Sequence, residues 1–214
     1  MEQPLFQEAT RFCDFEHPAV SSLARQLADG ETDTRRIAEA VFKHVRDGIR
    51  FGIDIVQVKA SETLTKGYGV CWNKSLLMIA LLRSNGIPAR LACNPVHREF
   101  MRPAMGEACS SIQEPLNHCF VQVQLEGRWI SVDPVLDART YQKLFVPHGV
   151  AWGIDWNGKD DMRLYTEDIA GPAACFEDLD SAIERDVGNL MPPASEAEAV
   201  FGPLNQQMWR VIDT

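Results

Sequence analysis

Apolar positions recur with two different periods along this chain. Ile37, Ala40, Val41, His44 and Val45 fall at i, i+3, i+4, i+7 and i+8, the buried stripe of an amphipathic helix, and Thr32 or Asp33 stands where its N-cap belongs. His44 lies on that stripe and reads as a core histidine bonded to a backbone group. Residues 19–29 read as an earlier helix. Ala60–Lys66 reads as a short helix stopped by Gly67, with Gly67–Tyr68–Gly69 a tight turn after it. From Trp72 to Asn85 the pattern changes: nearly every position between 76 and 82 is apolar, so a helix there is enclosed on most sides. Gly86 stands at its C′ position and Pro88 follows, a stop signal. Ile87–Cys93 reads as a strand, and residues 94–116, with three prolines, as a long irregular connection.

Residues 117–133 alternate with period two and predict a hairpin. Cys119, Val121, Val123 and Leu125 share one face with Ile130 and Val132. His118, Phe120, Gln122 and Gln124 share the other with Trp129, Ser131 and Asp133. A two-residue loop at Glu126–Gly127 places Phe120 opposite Asp133 and His118 diagonal to it, about 7–8 Å away at the backbone and within side-chain reach. A loop at Gly127–Arg128 preserves that parity, whereas an odd-length loop would separate the two residues. Beyond Pro134, residues 178–189 and 196–212 read as helices that cover the sheet or the site, with Pro203 interrupting the second.

Three residues carry candidate chemistry. Cys71 follows a glycine turn and opens the enclosed helix, where unpaired backbone N–H groups and the helix dipole favour thiolate over thiol. His118 can take the thiol proton and later return it to a leaving group. Asp133, accepting from the second imidazole nitrogen, fixes the tautomer and stabilises the imidazolium. Taken singly, each has a commoner role: a cysteine as a small core residue, a histidine at a strand start as a surface or capping group, Asp–Pro as a turn. The hairpin pairing brings two of them together without reference to the third.

Composition narrows the setting. The 214 residues, 45% hydrophobic and 24% charged, fit one ordinary globular domain, residues 1–214. Lys and Arg number 21 against 30 Asp and Glu, and the net charge of −9 with no basic run excludes nucleic acid as an expected partner. The start of the chain has no apolar signal segment and the longest apolar run, Leu76–Leu82, is too short to span a bilayer, so no membrane partner and a cytoplasmic location are expected. Six cysteines without an export signal are expected to be reduced, with Cys119 an inert core residue. Cys93, His97, Cys109 and His118 or Cys119 lack the paired C-x₂-C knuckles of structural zinc, so no metal is expected. His17, His97 and His148 lie in polar loops with no partner in view. Trp152 and Trp156 read as packing residues before cleft walls.

At the candidate residues the chain resembles a known family. Gly67-Tyr68-Gly69-Val70-Cys71 through Leu81-Leu82-Arg83-Ser84-Asn85-Gly86-Ile87-Pro88-Ala89-Arg90 is similar to the nucleophile block of the transglutaminase-like superfamily. Asn117-His118-Cys119-Phe120-Val121-Gln122-Val123 and Gly127-Arg128-Trp129-Ile130-Ser131-Val132-Asp133-Pro134 resemble its histidine and aspartate blocks. The likeness covers about residues 35–136 and suggests a small stand-alone member of bacterial type, with 137–214 a C-terminal extension. Neither 93–117 nor that extension matches a recognisable pattern. The resemblance implies a papain-like α+β fold, a central cysteine-bearing helix packed on an antiparallel sheet, with Cys71 as nucleophile, His118 as general base and acid, and Asp133 as orienter. For the oxyanion, the backbone N–H of Cys71 is one donor and Trp72 and Gln57 are side-chain candidates, with the second donor unassigned. No EF-hand pattern occurs, so neither calcium nor any other cofactor is expected.

The expected function is acyl transfer on an amide or ester carbonyl through a thioester. Hydrolysis of a peptide, protein or small amide is the first expectation and amine transfer the next. A non-catalytic interaction module with an occluded Cys71 is the alternative from another class. A thioester-using acetyltransferase shares the chemistry but calls for a cofactor cleft. Oligomeric state is not specified by the sequence.

Overall fold

Asp33 caps the first long helix: its carboxylate accepts from the Arg35 N–H at 3.0 Å, and α2 (Thr34–Gly48) turns Ile37, Ala38, Val41, Phe42 and Val45 inward. His44 is half-buried on it. The preceding helix, α1 (Pro18–Leu27), begins with proline in its first turn. His17 is its N-cap, so this histidine has a partner that the sequence did not reveal, the Ala19 N–H. These elements belong to a computed structural model that describes residues 6–111, 114–176, 179–185 and 192–214.

Strand β1 (Arg50–Phe51) follows α2, and α3 (Ala60–Lys66) ends at Gly67 with φ +73°. Gly67 takes the left-handed conformation that ends α3, but Tyr68–Gly69 after it are extended where a tight turn was expected. Arg50 N–H donates to Gly67 O at 2.8 Å and Gly52 N–H to Gly69 O at 3.2 Å, so β2 (Tyr68–Gly69) lies parallel to β1. A remote segment thus supplies the backbone partners that a turn would have supplied locally.

Helix α4 (Cys71–Ser84) buries every side chain from Trp72 to Arg83. Its end is a Schellman cap: Gly86, at φ +71°, donates to Arg83 O at 2.9 Å, and Ile87 donates to Leu82 O at 3.0 Å. Helices α1, α2 and α3 pack against α4, and so does a sheet. With a fully buried aliphatic side chain contributing about 1.5–3 kcal/mol, the run Leu76–Leu82 makes α4 the anchor of the core.

The sheet comprises β3 (Ala89–Val96), β4 (Leu116–Leu125), β5 (Arg128–Val132) and β6 (Ala174–Phe176), all antiparallel in the order β5–β4–β3–β6. Glu126 (φ 51°) and Gly127 (φ 76°) form the two-residue turn, with Leu125 opposite Arg128 and Val121 opposite Val132. This is the register the alternation predicts. Where reduced thiols were expected, Cys93 and Cys119 face each other across β3 and β4 with Cα atoms 4.1 Å apart and form a disulfide. The reason is the register between strands joined by the long connection.

That connection carries two 3₁₀ turns around α5 (Arg102–Met105). Past β5 come α6 (Ala138–Thr140), leading into a π-helical turn at Tyr141–Phe145, then α7 (Leu179–Arg185) and α8 (Ala197–Asp213). The expected helix over 178–189 extends partly outside the described residues. Pro203 does not interrupt α8: this proline and Ala199, whose carbonyl loses its partner, are both exposed, so water can replace the missing bond. Among the described residues no helix is long and apolar enough to cross a membrane.

Candidate active site

The approach to Cys71 is built from glycine and asparagine. A Cβ at Gly69 would lie 2.6 Å from the Cβ of Asn73, so the close approach of strand and helix requires glycine. Asn73, fully buried, accepts from the Val70 N–H at 3.0 Å and donates to Ile55 O at 2.9 Å. It therefore ties the helix start to the chain on both sides. Cys71 is the first residue of α4 and half-buried, with the N–H groups of the first turn free of helical partners. One turn on, buried Lys74 donates to Arg46 O at 2.9 Å and Ile49 O at 2.5 Å, closing the end of α2. Burial pushes its pKa down to about 7 against the pull of Asp137, Asp47 and Asp133.

His118, on β4, and Asp133, just past β5, meet as the hairpin parity requires. Their side chains approach to 2.5 Å between Nε2 and Oδ2, at 4% and 1% residue exposure. The other carboxylate oxygen accepts from the Val135 N–H at 3.1 Å, which fixes the Asp133 rotamer. Burial disfavours the imidazolium, but the Asp133 charge and hydrogen bond, then a hydrogen bond with Cys71, outweigh it and push the His118 pKa up to about 10. With Nε2 on Asp133, Nδ1 is the nitrogen left for the thiol.

Residues that pattern reading missed cover the imidazole. The Tyr165 ring meets that of His118 edge-on at 4.6 Å, and Phe100 lies 6.1 Å from it. Phe100 and Trp152 pack on Tyr165 at 4.5 and 4.6 Å, with Phe145 behind them. All four come from segments without a recognisable pattern; the sequence weighs Trp152 as a cleft wall behind a packing role and offers no local signal for the other three. Trp152 thus belongs to the wall of the site, whereas Trp156 packs on Phe42 and bonds Asp160 O.

The other candidates are not drawn into this cluster. Gln57 is exposed on the segment between β1 and α3, and Trp72 is buried within the core, 5% exposed as a residue. His97 lies 3.5 Å from Glu114, and His148 is bonded to Leu144 O, so both have partners that the sequence did not show. Of the four free cysteines, Cys13 is buried, which pushes its pKa up to about 12; Cys109 is buried and Cys175 exposed.

The chain matches the family model of the transglutaminase-like superfamily over residues 21–134, more than half of its length, and it belongs to that superfamily. Its mixed helix and sheet architecture is of the papain and transglutaminase-like class. Solved structures similar to it include one described as a "putative cysteine protease" from Cytophaga hutchinsonii, 21% identical with a TM-score of 0.48, covering 80% of this chain and 52% of that one. A "putative protease" from Parabacteroides distasonis is 16% identical with a TM-score of 0.38, covering 55% of this chain and 22% of that one. Red sea bream transglutaminase is 16% identical with a TM-score of 0.41, covering 56% of this chain and 27% of that one. The chain therefore spans about half the length of the first and about a quarter of the other two. No curated protein sequence matches it.

Proposed function

We propose that this protein is a thiol-dependent acyl-transfer enzyme with Cys71 as nucleophile, His118 as general base and acid, and Asp133 as the group that orients and charges the imidazole. The observation that carries this reading is the buried His118–Asp133 pair, 2.5 Å apart, with a half-buried cysteine at the head of an enclosed helix close enough to help hold the imidazole charged. A core cysteine needs no imidazole, and a buried imidazolium is costly unless paired.

Cys71 Sγ attacks an amide or ester carbonyl, with its proton held on His118 Nδ1. The carbonyl pair moves onto oxygen, which the N–H groups of the first turn of α4 are oriented to receive. On collapse the C–N or C–O bond breaks and His118 protonates the leaving group, leaving a thioester on Cys71. His118 then takes a proton from water or an amine, whose attack releases the thiol. Hydrolysis of a peptide, protein or small amide is the first reading and amine transfer the second. Trp72 contributes here through its backbone N–H, since its ring is packed in the core, and exposed Gln57 remains a candidate contact for bound substrate.

The test is a screen of quenched peptide and amine-acceptor libraries against the wild type and Cys71→Ala. Turnover present in the first and lost in the second is the expected result. No turnover in either, with Cys71 no more reactive than the other free thiols, would establish a non-catalytic module instead.

A further inference from the structure

We propose that the Arg163 guanidinium receives a carboxylate of the substrate beside the His118 imidazole, so that the enzyme prefers anionic substrates. This rests on the acyl-transfer reading and names its substrate class. The sheet register places the receiving group. Asn94 on β3 is the Cα partner of His118 on β4, so their side chains share a face, and Phe120 lies two residues along that face. Arg163, half-buried, lays its guanidinium over the Phe120 ring at 4.5 Å and donates from Nη2 to Asn94 Oδ1. Asn94 in turn donates to Gly171 O at 3.0 Å, which turns its oxygen toward the arginine. The positive charge therefore stands over the two residues that neighbour the imidazole on its own face of the sheet.

That charge is incompletely matched. Arg163 forms no ion pair among the described residues, Asn94 is a neutral acceptor, and the Arg163 Nε is enclosed without any acceptor. Nη1 also makes no bond among the described residues but is not enclosed, so it is the donor that a ligand meets first. Arg46 and Arg50 show the usual arrangement, held by Asp47 and Asp155 and by Asp213. Arg90, on the same face of the sheet, has its Nε bonded to Gln122 Oε1 at 2.9 Å, with the Phe6 and Trp129 rings against it. A half-buried guanidinium without an anion is unfavourable, and a methionine would cover Phe120 as well, so packing alone does not account for the charge. A carboxylate matches the planar fork of donors.

Acylation of the thiol by aryl esters tests this. An S–C bond forms as the carbonyl pair moves to oxygen, His118 holds the thiol proton, and the phenolate leaves with the C–O pair. The p-nitrophenyl half-esters of adipic, pimelic and suberic acids carry the carboxylate on acyl chains of increasing length, and p-acetoxyphenylacetate carries it on the leaving group. Their methyl esters are the neutral controls, and the rate with Cys71→Ala is subtracted throughout. With a net charge of −9 the chain repels anions at long range, so a preference for a charged ester reports a local cation. The wild type is expected to react with at least one charged ester about 10-fold faster than with its control, a ratio that falls with added salt. Arg163→Met is expected to lose the preference and Arg163→Lys to keep part of it, with the neutral esters and iodoacetamide labelling of Cys71 unchanged. No preference in the wild type overturns the proposal without any variant. So does a preference that survives in Arg163→Met, or an equal fall with charged and neutral esters, which would make Arg163 a support for the fold only. If the wild type shows no acylation by any ester beyond that of Cys71→Ala, the acyl-transfer reading itself fails, and this proposal with it.

Discussion

Asp133→Asn keeps the shape of the side chain and removes its charge from a pair that is almost wholly enclosed. The His118 shift, from 6.5 to about 10, corresponds to ~5 kcal/mol of preference for the imidazolium. Truncating one partner of such a pair costs about 3–5 kcal/mol, so the two scales agree. Because the folded pKa is raised, the pair's stabilisation is fully present below pH 6.5 and is lost as pH rises through about 10. Lys74 acts in the opposite sense: its pKa falls from 10.5 to about 7, so its charge opposes folding at low pH and stability rises between those values. In the wild type the two slopes oppose one another between about pH 7 and 10. In Asp133→Asn only the Lys74 slope remains. Urea unfolding of both proteins across that range should show a deficit of several kcal/mol at neutral pH that narrows steadily as pH rises, and NMR of the His118 ring should show its pKa falling by several units. Turnover, once a substrate is found, should fall by about 10⁴, as in the aspartate-to-asparagine change of a serine protease triad. A deficit that does not vary with pH, together with an unshifted His118 titration, would refute the charge-pair account.

Three further outcomes follow from the same geometry. Iodoacetamide should label Cys71 faster than Cys175, although Cys175 is exposed and Cys71 half-buried, and peptide mapping after brief labelling measures the ratio. Gly69→Ala should destabilise the fold by about 1–3 kcal/mol, the usual cost of overpacking, because its Cβ would lie 2.6 Å from that of Asn73, and it should slow Cys71 labelling more than it changes helix content by circular dichroism. Mapping of non-reduced peptides should recover Cys93 linked to Cys119, with Cys13, Cys71, Cys109 and Cys175 as free thiols.

The parts of the site legible in the sequence are those set by local rules. Alternation over 117–133 with Glu126–Gly127 between the halves fixes strand parity, and parity alone places His118 and Asp133 on one side of the ribbon. Gly67 and Gly86 likewise mark the ends of α3 and α4 through conformations that glycine adopts without penalty. What stayed hidden depends on pairings between distant segments. The Cys93–Cys119 link follows from a register that residues 97–115 do not encode by any period, and Tyr68–Gly69 becomes a strand only because Arg50–Phe51 runs beside it. Phe100, Trp152 and Tyr165 converge on the imidazole from two unpatterned segments, so neither spacing nor composition distinguishes them from ordinary packing residues.

Helix α8 holds β1, the strand that lies beside the one leading into Cys71. Asn205 accepts from the Ile53 N–H at 2.7 Å and donates to Ile53 O at 2.9 Å, as a neighbouring strand would, while the Trp209 indole bonds Phe51 O and its ring rests against Tyr68. The sulfur's setting is therefore guarded from the far end of the polypeptide. Clipping or crowding the tail would loosen the doorway to the thiol while the central helix still stood, and chemical reactivity would register the damage before any measure of folded content did.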